Sequence, residues 1–483
     1  MPAKHPACLS LLVSALLVGI VLIIITACSP APSTIPTAGT TYYVAQSGGS
    51  DSNPGTQSQP FQTIQKGADV AKPGDTVLIH AGSYGKFSVS TSGTQGQPIA
   101  IRAYPGEKPV VSETGGGGVI TLSNVSYIIL DGMTVQNGGV GIRITGAQSA
   151  NNRVLNCEVS KARSSGIGIY EGAHNNLVKN CLIHDNAQGN WPRGAASMWA
   201  SGMSAAHGAQ NNVFEDNYIY WNHGEGTSAF DGSDGAVWRR NVIADNWSEN
   251  LYVDGSKDCV IEDNLIYLTP EAKQWNSNFN NNAQGIGVSV ESYPDQPTIT
   301  RDATGLKISN NIVVNTSTGI GSFVEESGHT FSGWVVTNNT FLNNDFGIKL
   351  QGQTASNTFR DNIVFGGSPV VDVPAGAGVF ANNVYYGSAQ SFQWGGTAGD
   401  FTQWQGLSGE TNSQWADPIF QNSSAIPPRF WSDPSLPAPS AIVPLSTLLQ
   451  PYQLAAGSPA KKASDTGGEV GAYGGTSGGV QAR

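Results

Sequence analysis

The chain has 483 residues, of which 60 are Gly and only 12% are charged, and its formal net charge is −11. This balance excludes a nucleic-acid-binding surface, because phosphate binding requires clustered Lys and Arg. Low charge with abundant Asn, Gly, Ser and Thr instead favours a repetitive β architecture with many tight turns.

The first 27 residues have the pattern of a signal peptide. Lys4 and His5 precede an apolar run from Leu9 to Ile25, and small residues then lead to Cys28. The end of this run resembles a bacterial lipobox, which predicts cleavage before Cys28 and lipidation of its thiol. We therefore expect an exported protein anchored in the membrane of the cell envelope. A plain secretory signal with an incidental cysteine is the alternative.

The segment that follows predicts a flexible tether and then one folded domain. Residues 28–41 are rich in Pro, Ser, Thr and Ala and carry no charge, so we expect folding to begin at Tyr42. The domain is expected over residues 42–475, with irregular coils or a cap over 385–475 and a tail over 476–483. Its cysteines are too few for a disulfide framework and are expected as buried thiols. They are Cys157, Cys181 and Cys259.

Short apolar segments that open with Asn recur along this domain. The steps between successive Asn residues are 24, 37, 24, 23, 47, 28, 23 and 21 residues, so the basic unit has 21 to 24 residues and three insertions. Each unit continues with a polar turn and a Gly-apolar-x-apolar segment, and alternation in runs this short indicates strands. The Asn series is Asn156, Asn180, Asn217, Asn241, Asn264, Asn311, Asn339, Asn362 and Asn383.

Units of this length cannot bury an apolar face alone, and no helix-length segment separates their strands, which excludes a βαβ fold. Stacked units predict an all-β fold, a right-handed parallel β-helix solenoid of about ten or more coils with an N-terminal cap. Equivalent residues then form ladders along the axis. We interpret the Asn series as a structural ladder, and Arg239 and Arg240 as partners of acidic residues in neighbouring coils.

Both ends of the domain carry familiar motifs. The segment that begins YYVAQSGGSDSNPGTQ at Tyr42 resembles the N-terminal segment of the right-handed β-helix proteins that include family-nine pectate lyases. DPIF at Asp417 and the later YQLAAGSPAKKA and EVGAYGG resemble the closing strands of that superfamily of secreted carbohydrate-active proteins. The resemblance covers most of Tyr42 to Gly475. It implies the fold more securely than a reaction, because such motifs recur in members with different activities.

Two insertions of about a dozen residues occur at the same place in the repeat, at roughly 185–200 and 268–283. We expect them to form two walls around a groove, because long loops in an economical repeat are commonly functional. Aromatic rings on the walls and between them suit sugar stacking, although core packing is the alternative for each Trp. The expected substrate-binding residues are Trp191, Arg193, Trp199, His207, Trp221, Phe230, Trp247 and Trp275.

Glu225 and Glu249 occupy the same repeat position one coil apart, between the two insertions. Carboxylates about 5 Å apart cannot both ionise easily, so one holds a proton and provides an acid beside a base, which is the pairing used by retaining glycosidases. We therefore predict hydrolysis of a polysaccharide with these two residues as acid and base or nucleophile, without a required cofactor. Tyr252, Asp254 and His223 are further catalytic candidates near the pair.

Two alternatives remain open. A polysaccharide lyase would need a base and a cation or Ca²⁺ at the substrate carboxylate, through His223 with Tyr252 or through Ca²⁺ held by Glu225, Glu249 and Asp254. Family-nine enzymes use a lysine base, which this sequence does not place. Asp231 is a weak Ca²⁺ candidate, but it and Asp254 precede Gly and equally suit turn caps. The third interpretation is a non-catalytic glycan-binding adhesin or envelope protein. We expect a monomer.

Overall fold

The computed structural model describes residues 39–191, 200–278, 283–291, 301–325 and 328–473. The predicted signal peptide, the Cys28 lipidation site, most of the tether and the tail at 476–483 lie outside these ranges. The helices within the described ranges are all too short or too polar to cross a bilayer.

Three long sheets form the body, and the prediction of an all-β right-handed parallel β-helix is confirmed. Each sheet has 13 strands, one from each coil except at the ends. In the three-residue strands the central side chain points into the core, as Val154, Phe214 and Trp238 do, because strand side chains alternate between faces. The helix Ile64–Val70 packs against the first strands and belongs to the N-terminal cap.

The bounds of the strands follow the repeat. The first sheet contains Thr41–Val44, Thr76–Ile79, Ile99–Ala103, Ile128–Asp131, Arg153–Leu155, Leu177–Lys179, Val213–Glu215, Val237–Arg239, Val260–Glu262, Lys307–Ser309, Val335–Thr337, Asn357–Arg360 and Gly378–Ala381. The second sheet contains Ser83–Tyr84, Val110–Glu113, Thr134–Asn137, Glu158–Ser160, Leu182–His184, Tyr218–Tyr220, Val242–Ala244, Leu265–Tyr267, Ile312–Val314, Thr340–Leu342, Ile363–Phe365, Val384–Tyr386 and Gln414–Trp415.

The third sheet carries the outer face that matters below. It contains Phe87–Val89, Gly118–Ser123, Val140–Thr145, Ile167–Tyr170, Ser201–Ala205, Glu225–Ala229, Leu251–Asp254, Ile286–Val290, Thr318–Val324, Phe346–Lys349, Val371–Val373, Phe392–Trp394 and Thr397–Gly399, the last pair antiparallel. A short extra sheet pairs Thr330–Ser332 with Gln353–Ala355. The remaining helices are Gln188–Asn190, Pro270–Ser277, Phe401–Ser408, Leu445–Leu449, Gln450–Tyr452 and Pro459–Lys462.

Buried Asn ladders hold the turns of the coils together, as the repeat predicted. From Asn217 to Asn362, the side-chain amide of each ladder Asn donates to the side-chain oxygen of the Asn in the next coil, at 2.9 to 3.1 Å, and Asn383 is the last acceptor. Two further ladders, which the sequence reasoning missed, run through the other corners. They are Asn152–Asn176–Asn212 and Asn186–Asn222–Asn246.

The placement of Asn156 and Asn180 in the main ladder is wrong by one residue. Strand pairing aligns Leu182 with Tyr218, so Asn180 lies opposite Asp216. Asn180 has φ 55°, in the left-handed region, and is exposed. The ladder position in these two coils is held by Cys157 and Cys181, which together with Cys259 are buried free thiols, as expected.

Charged side chains pair between neighbouring coils on the outer face of the first sheet, as predicted. Arg239 Nε donates to Glu215 Oε2 at 2.6 Å, and Arg240 Nε donates to Asp216 Oδ1 at 2.8 Å. Burial raises the pKa of Glu215, but hydrogen bonds from Lys179 and Arg239 outweigh it and bring the pKa to about 2. Both arginines are therefore engaged in structural ion pairs.

The irregular C-terminal region divides into an end cap and a strap. Phe401–Ser408 places the buried Trp404 against Phe380 and Phe392 at the end of the solenoid. The strap, residues 417–473, instead runs back along the outer face of the second sheet. Trp431 Nε1 donates to Asp245 Oδ2 at 2.8 Å, and the Tyr267 hydroxyl donates to Pro428 O at 2.8 Å.

His184 makes the stability of this second sheet pH-dependent. Burial opposes its charge, but hydrogen bonding to Asp185 at 2.7 Å and pairing with Glu158 at 3.4 Å prevail and raise its pKa to about 9 from 6.5. Because the folded state has the higher pKa, this stabilisation is complete below pH 6.5 and is lost as the pH rises through about 9.

Replacing His184 by Gln is therefore expected to lower the free energy of unfolding by roughly 2–3 kcal/mol at pH 6 and by much less at pH 10. Urea denaturation of both proteins at the two pH values measures the difference. An equal loss at pH 6 and pH 10 would show that His184 contributes only packing against Tyr220, on which its ring stacks.

Candidate functional site

A cleft of about 800 Å³ lies on the outer face of the third sheet. Its lining comes from the strands between Val140–Thr145 and Thr318–Val324 and from the residues that directly precede or follow them. Strand pairing aligns the central column of this face, Arg143, Gly168, Ser204, Ser228 and Tyr252 in successive coils, and Arg143, Ser228 and Tyr252 line the cleft. Concave sites of this size on rigid strands suit extended ligands.

Glu225 and Glu249 face this cleft as vertical neighbours. The pairing of Thr227 with Leu251 puts the two glutamates in register, and the Gly226 N–H donates to Glu249 O at 2.9 Å. Adjacent strands lie about 4.8 Å apart. Both side chains line the cleft, and Ser201, one coil earlier, donates its hydroxyl to Glu225 Oε2 at 3.0 Å. The register predicted from the repeat is therefore present, and the structure adds the direction, which the repeat alone did not give.

The two carboxyl groups have different surroundings. Burial raises the pKa of Glu249, although hydrogen bonds from Ser248 and Gln284 act in the opposite direction. Glu225 accepts the Ser201 hydroxyl, and Ser201 in turn lies 2.6 Å from the Ser228 hydroxyl. Burial thus favours the protonated form of Glu249.

Because Gly287 has no side chain, the Glu249 side chain can occupy the space above it. It follows Tyr252 in the central floor column, and a Cβ atom at Gly287 would lie 2.5 Å from Glu249 Cγ. We expect Gly287→Ala to displace the Glu249 side chain and to lower activity at least tenfold, because misplacement by about 1 Å costs up to 10²-fold. Kinetics and denaturation of the variant test this, with Gly116→Ala, which meets no atom within 4 Å, as the control.

If Gly287→Ala retains full activity while remaining folded, the position of the Glu249 side chain is not critical for the reaction. Activity lost together with stability would point to general damage to the sheet. The informative result is lost activity at an unchanged denaturation midpoint.

The far end of the cleft contains an acidic group that the sequence reasoning missed. Burial, with the charges of Asp254 and Glu325, raises the pKa of Glu291 to about 7, although a hydrogen bond from the Tyr252 hydroxyl lowers it. The Glu291 N–H donates to Asp254 Oδ1 at 2.8 Å. Glu291 directly follows the strand Ile286–Val290, where alternation alone does not give the direction of a side chain.

Several predicted site residues meet in the cleft. His207 and Phe230 line it beside Tyr252, and His207 Nδ1 is hydrogen-bonded to Asp231. Asp254 is fully buried beneath the lining. Asp254 Oδ1 accepts the Glu291 N–H and Asp231 pairs with His207, and among the described residues no group of three His, Cys, Asp or Glu could hold a metal.

The described tryptophans lie outside the cleft lining. The rings of Trp191 and Trp275 stack at 5.7 Å with planes 5° apart, so the two insertions contact each other over the corner between the second and third sheets. In the described parts of the insertions, these two rings pack against each other and lie outside the cleft lining. Arg193 and Trp199 lie outside the described residues, and Lys273 Nζ donates to Asp345 at 2.7 Å.

Trp221, Trp247 and His223 also face away from the cleft. Trp221 has φ 54°, which turns it toward the second sheet, where it stacks on Trp431 of the strap at 3.5 Å. The ring of His223 lies 4.6 Å from that of Trp191, and Trp247 is buried. His223 and Tyr252 therefore do not form the base and acid pair that elimination would need.

Together these features define a right-handed parallel β-helix protein with an acidic cleft on one sheet. Residues 42–258 match the family described as "Pel9A-like, right handed beta helix region", and residues 196–364 match "Right handed beta helix region". These matches confirm the resemblance to right-handed β-helix proteins that the motifs at the two ends of the domain implied.

Two curated relatives and one solved structure illustrate the likeness. Protein YwoF of Bacillus subtilis (strain 168) is 24% identical over 454 residues, which are 82% of this chain and 92% of YwoF. Pectate lyase PEL9 of Emericella nidulans is 24% identical over 148 residues, or 27% of this chain and 36% of the lyase. The structure of XylC with xylose has a TM-score of 0.56 and 13% identity, covering 79% and 87% of the chains, and shows the fold alone.

Proposed function

We propose that the protein is a carbohydrate-active enzyme that binds a polysaccharide in the third-sheet cleft and hydrolyses it. One observation carries the proposal: Glu225 and Glu249 lie in register, one coil apart, in the lining of an open cleft. A sequence relative supports a glycan as ligand, since PEL9 is named a pectate lyase.

The surroundings of the two carboxyl groups support different roles. Glu249, whose pKa is raised by burial, is the proton donor to the leaving glycosidic oxygen. Glu225, which accepts a hydroxyl hydrogen bond from Ser201, is the anionic partner. In this proposal Glu225 attacks the anomeric carbon with retention of configuration, as in glycosidases whose two carboxyl groups lie on either side of the scissile bond. Water then releases the sugar, with Glu249 acting as base.

Elimination is the second candidate, because a relative is named a pectate lyase. It requires a base and a positive charge beside the substrate carboxylate. Among the described residues that line the cleft, Arg143 is the one Lys or Arg side chain, and it lies 3.7 Å from Glu171. The described residues therefore support hydrolysis better than elimination.

We also propose that the enzyme acts at the cell envelope, tethered through a lipidated Cys28. The motif at the N-terminus supports this proposal, together with the uncharged Pro, Ser and Thr segment that follows it. Metabolic labelling with a clickable fatty acid tests it. Labelling of the wild type and not of Cys28→Ser is expected, and equal labelling of both proteins would contradict it.

Incubation of the purified full-length protein with neutral and uronic polysaccharides, with and without a calcium chelator, tests the reaction. We expect new reducing ends without the ultraviolet absorbance of an unsaturated product. A rise in that absorbance would establish elimination. Binding without any product would establish a glycan-binding protein that does not cleave.

A further inference from the structure

From the charges around the cleft, we propose that its ligand is an uncharged glycan and that polyuronates are excluded. This inference deepens the proposed function and rests on it. It concerns every sugar in the cleft, because a polyuronate carries one carboxylate on each residue and a neutral glycan carries none.

Carboxyl groups lie on both sides of the cleft floor. Glu225 and Glu249 line one side, and Glu291 and Glu325 line the other, beyond Tyr252. Burial and neighbouring carboxylates already raise the pKa of Glu291 to about 7, so this environment disfavours additional negative charge. A uronate bound on this floor would bring its carboxylate close to at least one of these groups.

The described lining offers little compensation for a substrate carboxylate. Its one guanidinium, that of Arg143, lies 3.7 Å from Glu171 and over the Tyr170 ring, 5.7 Å from the ring centroid. Glu171 therefore offsets the Arg143 charge at the end of the cleft. An isolated ion pair at the edge cannot neutralise carboxylates along several sugars, because screening limits its reach to about 10 Å.

Groups that suit uncharged sugars are abundant in the same lining. Phe230, Tyr252 and Phe323 provide aromatic rings, and Ser164, Ser165 and Ser248 provide hydroxyl groups. These contact pyranose faces and hydroxyls without requiring charge. A cationic amino sugar is disfavoured for a different reason. Its charge would stabilise ionised Glu249 and remove the proton that the proposed hydrolysis requires.

Matched polymers test the inference with the full-length wild-type protein. Polygalacturonate and alginate are compared with their carboxyl-reduced forms, in which each carboxylate becomes a primary alcohol, and chitosan is the cationic probe. Retardation in native gels that contain each polymer measures affinity without reference to turnover. We expect the dissociation constant of each reduced polymer to be lower than that of its parent by roughly tenfold or more, with or without Ca²⁺.

A charge reversal at the rim provides the second arm. Glu325 is exposed, lines the cleft and has no assigned catalytic role. Glu325→Lys is expected to strengthen polyuronate binding several-fold and to change binding of the reduced polymers much less. Glu271→Lys, at an exposed position on the helix Pro270–Ser277 and outside the cleft lining, is the matched control and should change neither.

The outcomes separate this inference from the proposed function. Neutral binding without cleavage leaves the charge preference standing and removes the hydrolase. Cleavage of the uronates in preference to their reduced forms would leave the proposed cleavage standing and remove the charge preference. The inference is overturned if polyuronate binds more tightly than the neutral polymers, if chitosan is cleaved in preference to them, if Ca²⁺ reverses the order, or if none of the polymers binds.

Discussion

Replacing Glu249 by Gln is expected to abolish cleavage, lowering kcat by roughly 10²–10⁴-fold, the contribution typical of a positioned general acid. The amide preserves the shape of the side chain but has no proton to give at neutral pH. Glycan binding and the denaturation midpoint should remain close to wild type, because Glu249 contacts hydrogen-bond donors that an amide oxygen can also accept. Reducing-end kinetics and native-gel retardation measure both effects.

Glu225 provides the complementary test. Glu225→Ala should be as inactive as Glu249→Gln, and added azide should restore turnover and yield a glycosyl azide, because a small anion can occupy the vacated carboxylate position. Glu171→Gln, at the end of the same cleft, is the matched control and should retain most activity. Full activity of Glu249→Gln would refute the assignment of this carboxyl pair.

The second large effect is on stability. Asn264→Ala is expected to lower the free energy of unfolding by about 3–5 kcal/mol. The Asn264 side chain is fully buried, donates to Trp238 O at 3.0 Å and Asn311 Oδ1 at 2.9 Å, and accepts the Asn241 backbone and side-chain N–H groups at 2.9 Å. Its loss leaves several buried polar groups without partners.

Asn180→Gly is the control, because Asn180 is exposed and Gly readily adopts its φ of 55°. Chemical denaturation gives the overall loss, and hydrogen exchange locates it. We expect faster exchange in the coils around Asn264, because stability in stacked repeats depends on neighbouring interfaces. Equal stability of Asn264→Ala and wild type would show that the ladder contributes little.

The fold could be predicted because the turns and the core of each coil require particular residue types, which therefore recur at regular intervals in the sequence. A step of 21 to 24 residues and alternating apolar positions specify stacked strands, and the aligned positions of Glu225 and Glu249 then follow from counting. The assignment of ladder positions was wrong where an Asn lies next to the true position. Asn156 and Asn180 look like ladder residues, whereas Cys157 and Cys181 occupy the ladder position.

The rest of the site depends on long-range contacts that the repeat does not encode. Trp221 has a left-handed backbone conformation and stacks on Trp431, which lies 210 positions later in the chain (431 − 221), so its ring is not available to the cleft. Glu291 and Arg143 join the cleft from coils beyond the pair that the insertions flank. The packing of Trp191 on Trp275, between the described parts of the two insertions, is a contact of the same kind.

The strap is synthesised after the coils that it covers, so these coils are made before their outer face can be buried. Trp431 contacts Asp245 across 186 residues, and Tyr218 contacts Val443 across 225. Because ribosomes deliver the N-terminal coils first, a nascent solenoid must display the apolar surface around Leu265 until the final segment emerges. We expect this interval to be the period in which an incomplete molecule is most prone to aggregation.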